Sequence, residues 1–187
     1  GAAYVFRRDQ RTGKWSERQR LVASDVQQAA LFGSDVATDG RFIAVGSRNF
    51  NGMNMGMPAT NSGRVDIFEV QPDDSWAHVH VIEPPEVITE RRFGRPLKFH
   101  DGNLYVGAPA TGGGYVAVYA RAQNGDWGLV QTVTSPIGND AVRFGYALDV
   151  RGQTLLVGAS ARQNPAEQGG HVFAFRRSGA GAMGAHD

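Results

Sequence analysis

Residues with the chemistry for metal binding, acid–base catalysis or phosphate capture are present in this chain, but thinly. His78 and His80 alternate on a run that reads as a strand, so both rings would share one face and offer two nitrogen ligands. No third ligand stands near them, and two solvated side chains on an outer strand are the simpler expectation. Asp73-Asp74 falls in a turn before Trp76, and Glu83, Glu86 and Glu90 flank Pro84-Pro85 in a connection. Paired carboxylates do acid–base work only where they converge, and nothing in the spacing brings these together. Ser24-Asp25 has no histidine arrangement around it that reads as a nucleophilic triad. The run Gly112-Gly113-Gly114 leads into a strand, not into the helix N-terminus that cradles a phosphate. Arg91-Arg92 and Arg176-Arg177 are short basic pairs without an aromatic stacking platform, and the formal charge is only +1, so nucleic acid is not an expected partner. There is no cysteine, hence no thiol nucleophile, zinc finger or disulfide framework. The expectation is a non-enzyme, with no cofactor and no metal site.

The elements that would position any site are legible because the chain repeats itself. Trp15, Trp76 and Trp127 are each followed by a Phe-Gly pair: Phe32-Gly33, Phe93-Gly94 and Phe144-Gly145. Beyond each pair an apolar run ends in Val-Gly, at Gly46, Gly107 and Gly158, and a glycine-led alternating strand follows Gly1, Gly63, Gly114 and Gly170. Asp39-Gly40, Asp101-Gly102 and Arg151-Gly152 split the apolar runs as hairpin turns do. Each unit therefore holds four short strands: Phe-Gly, Val-Gly, glycine-led and tryptophan. The tryptophan strand is the most polar, as an outer edge protected by charge should be. Repetition at 50 to 60 residues with four strands per unit predicts an all-β β-propeller of four-stranded antiparallel blades. Thirteen strands make about three blades: a partial blade at 1–22, blades at 32–83 and 93–134, and a further partial blade at 144–177. Residues 178–187 read as a flexible Gly/Ala-rich tail, not a strand. No apolar stretch reaches the length of a membrane span.

The Phe-Gly pairs, Val106-Gly107-Ala108-Pro109, Val157-Gly158-Ala159 and the opening Gly-Ala-Ala-Tyr-Val-Phe together resemble FG-GAP repeats, the blades of integrin-α-type propellers and of bacterial extracellular proteins. The resemblance covers nearly everything but the tail. It implies an extracellular or cell-surface location and a role in protein binding or cell adhesion. The Asp-rich calcium loop of some members has no counterpart here. About three blades do not close a ring, so the expected arrangement is part of a larger propeller, closure through copies of the chain, or a covering partner protein.

Because Phe32, Phe93 and Phe144, with Gly33, Gly94, Gly145 and the three tryptophans, recur in register, their expected role is shared by all blades: packing between adjacent sheets. Variation concentrates in one loop, between the Val-Gly and glycine-led strands. It runs over 47–62 in the first unit, about 109–113 in the second and about 160–169 in the third. Equivalent loops emerge on one face of a propeller, where repeat scaffolds carry recognition. Arg48, Asn49, Phe50, Asn54 and Met55, beside Asn51, Met53 and Met57, mix a guanidinium, amides, a ring and thioethers suited to an adaptable contact. Arg162, Asn164 and Gln168 would join them. The expected function is a non-catalytic module presenting these loops to a protein or polysaccharide partner, or to copies of itself. A lectin-like propeller and a structural subunit of a surface filament or layer are the alternatives.

Overall fold

The computed structural model describes residues 1–110, 113–137, 142–161, 169–177 and 183–185. Its first sheet is a half-blade of two strands, β1 (Ala3–Arg8) and β2 (Trp15–Leu21). The first complete blade pairs β3 (Phe32–Thr38), β4 (Phe42–Ser47), β7 (Val65–Val70) and β8 (Trp76–Ile82) in that order. A short hairpin, β5 (Gly52–Asn54) and β6 (Met57–Ala59), is inserted between β4 and β7. The second blade is β9 (Leu97–His100), β10 (Asn103–Ala108), β11 (Tyr115–Arg121) and β12 (Trp127–Thr134). The third is β13 (Val142–Arg151), β14 (Thr154–Ala161), β15 (His171–Arg177) and β16 (Met183–Ala185). All strand pairs in these sheets are antiparallel. The expected strand order holds within the blades, and the fold is that of β-propeller blades.

Local chemistry explains the hairpins. Between β9 and β10, Asp101 and Gly102 have φ of 47° and 71°, the two-residue turn with positive φ at both positions. Between β3 and β4, the Asp39 carboxylate accepts from the amides of Arg41 and Phe42 at 2.9 and 2.7 Å.

Successive blades are joined by backbone pressed against glycine. A Cβ on Gly63 would stand 2.1 Å from the Phe93 carbonyl oxygen, and one on Gly46 would stand 1.9 Å from that of Gly94. The Phe93 amide donates to the Ser62 carbonyl at 3.1 Å, so the Phe-Gly entry of the second blade lies as a parallel bridge along the first. The same approach recurs where Phe32 meets Gly1 and where Phe144 meets Gly114. The phenylalanine rings fill the space behind these joints. Phe93 is fully buried among Phe42, Val65 and Ile67 of one blade and Leu104, Val106 and Tyr119 of the next. Phe144 is buried likewise with Val116 and Val118 on one side and Leu155 and Val157 on the other.

Four expectations need correction. The described strands number sixteen, not thirteen, because the first loop contributes β5 and β6 and the tail contributes β16. Met183–Ala185 pairs with Phe175, Arg176 and Arg177, which removes that stretch from the flexible tail expected over 178–187. The tryptophans do not share one environment. Trp127 is 8% exposed and meets Phe42 of the preceding blade edge-on at 5.4 Å, whereas Trp15 is 67% exposed. The ring packs on the preceding sheet, and the half-blade has no sheet on that side among the described residues. His78 and His80 lie on opposite faces, because a bulge between them sets His78 opposite Phe68 and His80 opposite Ile67.

Truncating Phe93→Ala is expected to cost about 3–5 kcal/mol of stability. The joint adds a sharper test in urea unfolding. Gly63→Ala meets a carbonyl and should cost several times more than Gly102→Ala, where a Cβ meets open space and only positive φ is penalised, by roughly 1 kcal/mol. Equal losses would mean that the interblade joint tolerates a side chain.

Candidate functional site

One end of the blades gathers the features that do not repeat. In the first complete blade β3 and β7 start there and β4 and β8 finish there, since Phe32 pairs with Ser47, Gly46 with Val65, and Val65 with Ile82. The entries to β9 and β13 lie at the same end, because the Phe-Gly joints hold them there. The opposite end carries tight turns, among them 122–126.

The inserted hairpin rises from this end. Asn54 pairs with Met57 across a two-residue turn, and Met55 and Gly56 take φ of 49° and 81°. Met55 at the tip is 98% exposed, and Met53, Asn54 and Met57 are exposed beside it. The base is tied down by side chains. The Asn51 amide donates to Gln27 Oε1 at 2.9 Å, Gln27 Nε2 donates to the Asn51 carbonyl at 3.0 Å, and the Gly52 amide donates to the buried Ser62 hydroxyl at 2.9 Å. An anchored base under an apolar, polarizable tip presents a defined contact surface at low ordering cost. Phe50 is not part of that surface. Its ring is buried beneath the Arg64 guanidinium, 4.1 Å from the ring centre, so this residue supports the loop from below. Asn49 is half-buried, with its amide donating to the Ala30 carbonyl at 3.1 Å. Arg162, Asn164 and Gln168 lie outside the described residues.

Beside the hairpin is a cleft the sequence did not announce. Arg48, Arg92, Arg95, Arg143, Pro109 and Tyr146 line a cavity of about 100 Å³. They come from three blades, at only three positions of the repeat: the residue before Phe-Gly (Arg92, Arg143), the residue after it (Arg95, Tyr146) and the second residue after Val-Gly (Arg48, Pro109). Arg92 is paired with Glu90 at 2.8 Å. Hydrogen bonds from Asn61 and then Arg92 hold the Glu90 carboxyl below its ordinary range. Arg48 and Arg95 have no carboxylate partner among the described residues. By spacing alone Arg91-Arg92 is a short basic pair without a stacking platform. Only the blade-to-blade register, which the sequence does carry, shows that Arg92 and Arg143 are equivalent.

A second polar cluster looks catalytic by composition and structural by geometry. Asp66, fully buried, accepts from Ser24 Oγ at 2.9 Å, sits 3.0 Å from His78 Nε2, and is paired with buried Arg64 at 3.4 Å. Serine, histidine and aspartate thus meet, which sequence spacing did not suggest. Both Ser24 and His78 point at the carboxylate, however, so the histidine is not set to take the serine's proton. The cluster pins the connection carrying Ser24 onto the first complete blade. Among the described residues no three of His, Cys, Asp and Glu converge to hold a metal.

Asp66→Ala would leave the buried Arg64 guanidinium without its buried counter-charge and should cost about 3–5 kcal/mol. Asp25 is 3.9 Å from Arg64 but largely exposed, so Asp25→Ala should cost under about 1 kcal/mol in the same thermal unfolding series.

With the blades and this end face in view, three comparisons with known proteins bear on the chain. The FG-GAP repeat family model matches residues 15–68. No curated protein matches the sequence. Among solved structures, the periplasmic gluconolactonase PpgL of Pseudomonas aeruginosa superposes with a TM-score of 0.52 at 15% identity, covering 98% of this chain and 62% of that one. This chain thus spans under two thirds of that protein's length, and at such identity the likeness concerns the fold alone. The matched segment runs from the tryptophan of the half-blade through Phe32-Gly33 and Gly46 to Phe68, the same succession that recurs from Trp76 and from Trp127. Residues 15–68 match an FG-GAP repeat, and the described residues have the fold of β-propeller blades.

Proposed function

We propose that the chain is a non-catalytic interaction module that meets a protein or polysaccharide partner with the end face carrying the β5–β6 hairpin. The observation that supports this reading most directly is the hairpin itself. Three methionines are exposed at or beside the tip of a segment whose base is fixed by four side-chain hydrogen bonds. Exposed thioethers on an anchored support are an unfavourable arrangement for an isolated surface and a useful one for a contact. A location outside the cytoplasm, at the cell surface or in the periplasm, fits the FG-GAP repeat and the periplasmic origin of the structural neighbour. No helix among the described residues is long and apolar enough to cross a membrane.

The structural neighbour is a gluconolactonase, so catalysis is the reading to test against. The side chains lining the cleft and the hairpin tip are mainly arginine, methionine, asparagine and tyrosine, which bind and orient, and the Glu90 carboxylate beside them is engaged by Asn61 and Arg92. Arginine stays charged in proteins and does not exchange protons as a general base must.

Two measurements test the proposal. A photo-crosslinking residue at Met55 should give discrete adducts on intact source cells, while the same residue at Gln123, in a turn at the opposite end, should give none. Equal labelling from both positions, or none from Met55, would remove the hairpin from the contact. Purified chain should also hydrolyse gluconolactone no faster than buffer, and turnover lost on heat denaturation would replace the binding reading with an enzymatic one.

A further inference from the structure

We infer that the arginine cleft binds the carboxylate groups of an acidic saccharide, with Arg48 and Arg95 as the principal cationic contacts and Tyr146 against the sugar ring. This rests on the end-face reading for its location but not for its partner. Loss of the hairpin contact would leave carboxylate binding at the cleft untouched.

Four guanidinium-bearing residues border one cavity of about 100 Å³, which has room for a single oxyanion group and not for a nucleotide. Charges of one sign held together repel, and the repulsion is relieved by an anion between them. Arg92 already has Glu90, but Arg48 and Arg95 have no carboxylate among the described residues. Their positions are set by backbone and not by their own side chains. The Arg48 amide donates to Ser34 Oγ at 3.3 Å, and the Arg95 amide donates to the Gly107 carbonyl at 3.3 Å. Both forks therefore remain available to a ligand. A guanidinium presents paired donors that match a planar carboxylate.

Tyr146 supplies the second half of the recognition. It occupies in the third blade the place Arg95 occupies in the second, and it lines the cleft as an exposed residue. An exposed phenol offers an apolar face and a hydroxyl side by side, suited to the mixed C–H and O–H surface of a sugar. A net charge of +1 supplies no broad field for a nucleic acid, so the recognition is of a local anion and not of a polyanionic backbone. Non-glycine residues with positive φ precede Phe-Gly in two blades, Ala29 and Leu31 in one and Glu90 and Arg92 in the other. That backbone geometry belongs to the repeat, and only the side chains it carries are particular to this cleft.

The test is a calorimetric titration of the full chain at constant ionic strength with trigalacturonate, its fully methyl-esterified counterpart and inorganic sulfate. Trigalacturonate should bind at least tenfold more tightly than the ester. Arg48→Ala and Arg95→Ala should each weaken it roughly tenfold or more, with unchanged melting curves, and Arg95→Gln should behave as Arg95→Ala. Tyr146→Ala should weaken trigalacturonate while leaving sulfate alone. Equal affinity for acid and ester, indifference to both arginine variants, absence of saturable trigalacturonate binding, or binding of sulfate only would each overturn the inference.

Discussion

The contact on which the rest of this structure depends is backbone against glycine: the Phe-Gly entry of each blade lies where the previous blade has no Cβ. At the joint between the first two complete blades, Gly46 and Gly63 leave gaps that the carbonyls of Gly94 and Phe93 occupy. A side chain at either place would push the sheets apart, and the phenylalanine behind them would lose its cavity. Close approach and ring burial are thus one constraint seen twice. That is why Phe-Gly and the Val-Gly glycine recur at a fixed spacing, while the distance on to the glycine-led strand varies with the loop between them.

The same constraint decides where function can reside. Once the blade entries are locked at one end, the residues on either side of Phe-Gly and just beyond Val-Gly are held close to neighbouring blades without packing in the core. They are free to vary and certain to be near one another. In this chain those positions carry Arg92, Arg95, Arg143, Arg48 and Tyr146, and the inserted hairpin springs from the same end. A repeat that looks like pure scaffold therefore specifies the location of a composite surface, and the blade-specific residues specify its chemistry.

The fold was legible because its determinants are local and periodic: Asp-Gly turns, alternating strands, and glycines in register. The site was legible only in part. The long first loop stood out by length, but its hairpin depends on Met55 and Gly56 both taking positive φ, and Gly56 alone is the turn signal there. Phe50 read as a contact because aromatic residues in loops often are. Its burial depends on Arg64, fourteen residues away and just before β7, which composition does not report. The bulge that parts His78 from His80 and the short β16 pairing are likewise outcomes of tertiary pairing, which overrides the weak alternation or linker composition of those segments. The Asp66 cluster joins residues far apart in sequence and has no local signature at all.

What distinguishes the end face from the buried polar cluster is where the charge goes. Asp66 and Arg64 neutralise each other inside the blade, with Ser24 and His78 completing the carboxylate's hydrogen bonds, so the cluster is closed to a ligand and its work is to hold a connection in place. At the cleft the cations arrive from three blades, Arg92 is paired with Glu90, and Arg48 and Arg95 have no carboxylate partner among the described residues. An anion seated there would touch side chains from separate sheets and would favour the arrangement that keeps them together. Ligand binding and blade packing would then reinforce each other through ordinary linkage, because a ligand that binds only the assembled blades stabilises their assembly.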